Sequence, residues 1–206
     1  MKATTRTFIA LDISSDVRSR IRKAVKPLRE IYPEIKWVND EQFHITLKFL
    51  GDVPTLEIHE IIAAAERAAA QCEIFDLIME KFGVFPDRKN PKTLWVGIGD
   101  GIEELRSLVG LIENELAPLG FPRDPREFTP HLTVGRVRQT KFRENERRRK
   151  PDQGIPRTVD LDIPELTSQE DLFFGCCSVD EIIVYGSELQ REGPLYEVLG
   201  SVPLQG

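Results

Sequence analysis

Phe43-His44-Ile45-Thr46-Leu47-Lys48-Phe49-Leu50-Gly51 and Pro130-His131-Leu132-Thr133-Val134-Gly135-Arg136-Val137 are two stretches of one shape. Each reads apolar, His, apolar, Thr, apolar, and each is rich in residues that favour strands. On a strand successive side chains alternate faces, so His44 and Thr46 share one face while Ile45 and Leu47 share the other. His131 with Thr133, and Leu132 with Val134, repeat the arrangement. The apolar face can pack on a core, which leaves an imidazole and a hydroxyl side by side on the open face. One strand histidine is usually structural. Two matched copies that use two of the chain's three histidines ask for another explanation.

Working outward, Thr7 to Asp12 reads as a buried strand. Ser14, Ser15 and Asp16 offer an N-cap to a helix carrying Val17, Ile21, Ala24, Val25, Leu28 and Ile31 at helical spacing. Ile35 to Val38 is a short strand that precedes the first His-Thr strand, which Gly51-Asp52 ends. Pro54 starts a second helix with Ile58, Ile61, Ile62, Ala65, Ala68, Ala69 and Cys72 on its apolar side. The second half repeats this grammar. Glu73 to Phe85 is extended with a break at Gly83, and Thr93 to Ile98 is a strand. Asp100-Gly101 leads into a helix with Ile102, Leu105, Leu108, Val109, Ile112 and Leu116. The second His-Thr strand follows, then strand material from Leu172 to Tyr185, broken near Ser178, and a last strand in Tyr196 to Leu204. Two β-α-β-rich halves, each with one His-Thr strand, indicate an internal duplication around a shared cleft.

The chain has 206 residues, 40% hydrophobic and 30% charged, enough for a sizeable core in one domain or two fused halves. No apolar run approaches the about 20 residues a membrane span needs. The N-terminus carries no signal-peptide pattern, so the cytoplasm is the expected location. Cys72, Cys176 and Cys177 suit neither a disulfide framework nor a four-cysteine zinc site, and Cys176 and Cys177 are expected to be buried reduced thiols. The net charge of −6 argues against a general nucleic-acid binder. The charge is uneven, however: eight basic residues stand between Arg136 and Lys150, and the balance reverses from Asp160 to Asp171. A local cationic patch on an acidic body fits an anionic partner gripped at one end. Arg138 to about Pro156 lacks apolar periodicity and reads as an exposed basic loop.

Two histidines on one cleft supply both proton transfers that phosphate-ester cleavage needs, one neutral imidazole as base and one protonated as acid. An unperturbed pKa of about 6.5 lets both forms exist near neutrality. Threonine hydroxyls can donate to the non-bridging phosphoryl oxygens. Strict alternation puts Lys48 on the face of His44. It puts Arg136 on the face opposite His131, unless Gly135 introduces a bulge that re-aims it. His59, in an amphipathic helix, reads as solvated, which leaves a metal site without a third imidazole. No phosphate-cradling glycine loop is present, so neither a metal nor a nucleotide cofactor is expected.

His44-Ile45-Thr46-Leu47 and His131-Leu132-Thr133-Val134 resemble the paired HxTx motifs of the 2H phosphoesterases. The chain resembles more closely the RNA 2′,3′-cyclic phosphodiesterases, also called 2′-5′ RNA ligases. Phe8-Ile9-Ala10-Leu11-Asp12, Ile35-Lys36-Trp37-Val38, Leu94-Trp95-Val96-Gly97 and Gly193-Pro194-Leu195-Tyr196 add to the likeness. It covers nearly all of the chain except about Gln139 to Glu170. The resemblance implies an α+β, bilobal, duplicated fold: one domain over 1–206, with two antiparallel sheets flanked by helices around a metal-free central cleft. It implies RNA ends or nucleotides bearing 2′,3′-cyclic phosphate as substrates, hydrolysed to 2′-phosphates. His44 would be the proton donor to the leaving 3′ oxygen and His131 the base that activates water. Thr46, Thr133 and Arg136 would contact the phosphate. Phe8, Phe49, Trp37 and Trp95 are the candidate stacking partners for the terminal base. A monomer is expected, and a catalytically idle RNA-end or nucleotide-binding module of the same fold is the alternative.

Overall fold

The computed structural model describes residues 3–87, 91–137, 172–190 and 193–206. The basic loop expected at about 139–156 and the acidic stretch that follows it lie outside the described residues. Among the described residues, nine strands and three helices run in the order β1 (Thr4–Asp12), α1 (Ser15–Ile31), β2 (Ile35–Trp37), β3 (His44–Pro54), α2 (Ile58–Ala69), β4 (Phe75–Phe85), β5 (Thr93–Ile98), α3 (Ile102–Leu116), β6 (Leu132–Val137), β7 (Phe173–Val179), β8 (Glu181–Leu189) and β9 (Pro194–Pro203). Ser14 caps α1 by accepting from the Val17 amide, as its position before the first apolar residue predicts. Pro54 closes β3 rather than opening α2, and a 3-10 turn at Thr55–Glu57 makes the junction.

The strands form one sheet in the order β7-β4-β5-β6-β3-β1-β8-β9, with β2 paired to β6. Every strand ladder in it is antiparallel. Hydrogen bonding therefore does not divide the described residues into the two sheets expected from the sequence. The halves β7-β4-β5-β6 and β3-β1-β8-β9 join at one residue pair, Ile45 with Leu132. The reason lies on the edge of β6. Beyond Val134 that edge is taken by the short β2, where Trp37 pairs with Gly135 and the Val38 amide donates to the Val134 carbonyl. A Cβ at Gly135 would stand 2.6 Å from Ile35 Cγ2, so the absent side chain is what lets β2 close on β6.

The three helices cover the face on which Ile45, Leu47, Leu132 and Val134 point. α1 packs on β7 through Val17, Ile21 and Val25, and α2 packs on α3, β8 and β9. α3 reaches β3. Ile45 and Leu132 are both fully enclosed, at 1% and 0% exposure, so the seam of the sheet is also the middle of the core. Truncating either residue removes core volume and the contact that joins the halves. Ile45→Ala should cost about 2–5 kcal/mol in urea denaturation. A loss below about 1 kcal/mol would mean that the seam relaxes without penalty.

Candidate active site

The pairing of Ile45 with Leu132 fixes the array on the opposite face. Extended by one residue each way, the antiparallel register sets His44 beside Thr133 and Thr46 beside His131. Directly opposed residues in such a pair have Cβ atoms about 4.5–5.5 Å apart, and diagonal ones about 7–8 Å. The histidines occupy one diagonal and the threonines the other. The imidazoles are thus held apart by roughly the room a phosphoryl group needs, with a hydroxyl beside each.

Both rings are held in the same way. His44 Nδ1 lies 2.7 Å from the Gln42 carbonyl, and His131 Nδ1 lies 2.8 Å from the Thr129 carbonyl. A carbonyl only accepts, so in both rings Nδ1 carries a hydrogen and Nε2 is the nitrogen left to exchange a proton. Burial pushes both imidazoles below the ordinary histidine range, and the hydrogen bond to the carbonyl pulls each part of the way back. The Arg136 guanidinium adds a downward push on both. The Asp12 carboxylate pulls His44 up.

Beyond the motifs, strict alternation fails in both strands at the same place. Ala10 pairs with Thr46 and Ile9 with Lys48, so Leu47 is an extra residue in β3. Trp95 pairs with Thr133 and Leu94 with Gly135, so Val134 is an extra residue in β6. Each bulge reverses the side-chain parity that follows it. Lys48 consequently leaves the histidine face. Its Nζ donates to Glu113 Oε1 on α3 at 2.5 Å and to the Pro122 carbonyl at 2.8 Å, among side chains only 10% and 13% exposed. Phe49 takes its place on the histidine face, 5.8 Å from the Phe8 ring. In β6 the same step leaves Gly135 facing β2's Ile35 and brings Arg136 round to the histidines. The bulge foreseen at Gly135 falls one residue earlier.

Aromatic rings enclose the two imidazoles. Phe8, Tyr196 and Tyr185 stand 5.1, 5.4 and 6.2 Å from His44. Phe85 and Trp95 stand 5.0 and 6.5 Å from His131. Trp95 lies over Gly83, where a Cβ would come within 2.2 Å of its ring; the break expected at Gly83 is not there, since β4 pairs through it and is irregular at Lys81 instead. Of the four stacking candidates, Phe8 is enclosed by neighbours at 3% exposure, and Trp37 packs against the core with its indole donating to the Tyr32 carbonyl. Phe49, at 65%, presents an open ring, and Trp95 borders His131. Tyr185 and Tyr196 were missed. What places Tyr185 opposite Phe8 is the pairing of β8 with β1, which spacing within either strand does not signal. Burial pushes the Tyr185 hydroxyl up to about 12 and Tyr196 upward as well, so both stay protonated donors. His59 is exposed on α2. Cys177 is buried as expected but Cys176 is exposed, because neighbours on a strand point to opposite faces. Among the described residues no group of three or more His, Cys, Asp or Glu side chains could hold a metal ion. No helix among them is long and apolar enough to cross a membrane.

Residues 17–185 match the 2'-5' RNA ligase superfamily, and the chain belongs to that family. Among its relatives, an RNA 2',3'-cyclic phosphodiesterase of Aeropyrum pernix is 34% identical over 169 residues, 82% of this chain and 85% of the relative. The enzyme of the same name from Thermotoga maritima is 29% identical over 201 residues, 98% and 96% of the two chains. Among solved structures, Escherichia coli LigT in its apo form superposes with a TM-score of 0.69 at 20% identity, covering all of both chains. A Thermus thermophilus protein gives 0.70 at 24% identity over 98% of each chain. The fold is that of these proteins.

Two outcomes follow from the site's packing. Lys48→Met should cost about 1–3 kcal/mol by leaving Glu113 half-buried without its partner, while turnover stays within about twofold. A turnover loss above about tenfold at full folding would put Lys48 back at the site. The second concerns pH. With both imidazoles harder to protonate in the folded chain than in the unfolded one, the unfolded chain binds more protons below its own value of about 6.5. Their contribution is therefore complete above that value and is lost as pH falls through the folded values. Wild type should lose more stability between pH 7.5 and pH 5.5 than the His44→Asn/His131→Asn double variant. Equal slopes in urea titrations would show that burial leaves the two rings unperturbed.

Proposed function

We propose that this protein, whose relatives are named RNA 2',3'-cyclic phosphodiesterases, hydrolyses RNA 2′,3′-cyclic phosphate ends and does so by two-histidine acid–base catalysis that leaves 2′-phosphomonoesters. The observation that supports it most is the diagonal pair of imidazoles, each tied at Nδ1 and each beside a threonine hydroxyl. Neutral His131 takes a proton from water at Nε2 as the water oxygen bonds to phosphorus. The P–O3′ bond breaks, and protonated His44 gives its Nε2 proton to O3′. The products are a 2′-phosphate and a free 3′-hydroxyl. His44 ends neutral and His131 protonated, and exchange with solvent restores the starting state. Thr46, Thr133 and Arg136 hold the non-bridging oxygens as charge gathers there. Phe49 offers its open face to a base.

Replacing water by a 5′-hydroxyl in the same scheme gives a 2′–5′ phosphodiester with departure of O3′. Ligation therefore needs no residue that hydrolysis does not use. Both proton transfers are supplied by the chain, so the reaction proceeds without a metal or cofactor. The protein acts as a single-domain monomer in the cytoplasm. The idle binding module is the competing reading, and it fails if purified protein turns over a 2′,3′-cyclic mononucleotide.

His44→Ala and His131→Ala should each lower kcat/KM by at least ~10²–10⁴-fold with far-UV circular dichroism unchanged. Either variant retaining more than a tenth of the wild-type rate would sink the assignment. Dialysis against EDTA should leave the rate intact, and a loss restored by added divalent cation would overturn the metal-free scheme.

A further inference from the structure

The two halves pair their His-Thr strands in the same register, but the residues set opposite the two histidines differ in charge. In β1 and β3, Ala10 pairs with Thr46, Leu11 with Ile45 and Asp12 with His44. In β5 and β6, Trp95 pairs with Thr133 and Val96 with Leu132, so the next step sets Gly97 opposite His131. One imidazole faces a carboxylate across the ladder, and the other faces a residue without a side chain. The carboxylate is also fixed. Asp12 Oδ1 accepts from the Ile13 amide at 2.8 Å and from Arg18 Nη2 at 2.5 Å. Arg18, on α1, donates through Nη1 to the Asp40 carbonyl at 2.6 Å. Asp40 opens the 3-10 turn Asp40–Gln42, whose last residue supplies the carbonyl that holds His44 Nδ1. One guanidinium thus braces both the carboxylate beside His44 and the turn that orients its ring.

We propose that Asp12, held by Arg18, is the positioning residue that divides the labour between the histidines. It makes His44 the imidazole that carries the proton, and the bare Gly97 leaves His131 the neutral one. The inference rests on the two-histidine reading above and explains why that acid and base are not interchangeable. His44 needs the help. It is ringed by Phe8, Tyr185 and Tyr196, and enclosure of this kind disfavours an imidazolium. The other groups that bear on it are Arg18 from α1 and Arg136 from β6, both cationic and both opposing its protonation. Tyr185 from β8 and Tyr196 from β9 are neutral. Asp12 is the one anion among the described groups that acts on His44 in the opposite sense. Nδ1 is already engaged by the Gln42 carbonyl, so Asp12 acts through space and does not compete for the ring hydrogen.

The test follows each imidazole by proton–carbon NMR of its Cε1–H across a pH titration, with exposed His59 as internal reference. In Asp12→Asn the His44 titration should move to lower pH while His131 and His59 stay in place. In Arg18→Gln it should move to higher pH, because a cation has been removed and the carboxylate kept. The opposite signs separate electrostatics from damage, since a collapsed network would move His44 the same way in both variants. Asp12→Glu should restore the wild-type titration. In kcat/KM against pH, the descending limb should shift to lower pH in Asp12→Asn and return in Asp12→Glu. An unmoved His44 in Asp12→Asn, equal movement of His131, or shifts of one sign in both variants would overturn the proposal. If Asp12→Asn does not fold, Asp12→Ser should show the same movement of His44 to lower pH, and an unmoved His44 there would equally overturn the proposal. The titrations need no substrate. Expected shifts in a protein that cleaves no cyclic phosphate would leave the hold of Asp12 on His44 standing and remove the proposed function together with the division of labour built on it.

Discussion

One pair of residues, Ile45 and Leu132, holds the site in register. Their side chains meet in the core while their neighbours on each strand face the other way, so the contact that joins the halves also sets the distance between the imidazoles. A sheet suits this task. Its period of two couples each buried residue to an exposed one, and a slip of one residue in either strand would bury its histidine. The apolar seam and the polar array are two faces of one constraint.

The proposed chemistry depends on that rigidity, because two-histidine acid–base catalysis asks for two ionisable groups in fixed relation to a third body that is absent between turnovers. The protein meets this with backbone rather than side chains. Each Nδ1 is tied to a carbonyl two residues earlier on its own chain, a partner that neither titrates nor rotates away. Partial enclosure by Phe8, Tyr185 and Tyr196 on one side and by Phe85 and Trp95 on the other reduces the rings' contact with solvent and lowers their affinity for protons. The charged residues Asp12, Arg18 and Arg136 then set the balance.

Much of this was legible in the sequence. His44, Thr46, His131 and Thr133 could be placed on one face because two strands carry the same alternation, and the core helices could be read from apolar spacing, as with Leu105, Leu108, Ile112 and Leu116. What escaped lies in the relations between strands. Lys48 was misplaced because a bulge is a property of a ladder, and Leu47 looks like any other strand leucine. Asp12 read as a strand end because its partner is set by pairing with β3. Tyr185 and Tyr196 come from the far end of the chain, and only the order β3-β1-β8-β9 brings them to His44. The single continuous sheet was hidden likewise, since the edge competition between β2 and β3 for β6 leaves no mark on composition.

The paired bulges bear on how such a site tolerates change. At positions 47 and 134 the chain uses the number of residues as much as their kind. The extra unit turns the next side chain away and the one after it back, which is how Phe49 and Arg136 arrive where they do. Exchange of Leu47 or Val134 for another apolar residue keeps that phase. Drawing either extra residue into the ladder as an ordinary pair would carry everything downstream half a period out of step, with Arg136 turned into the core and Gly135 toward the histidine face. Spacing in these strands is itself a functional element, and a chain could keep every named side chain of the site yet lose the site if one bulge were drawn into the ladder.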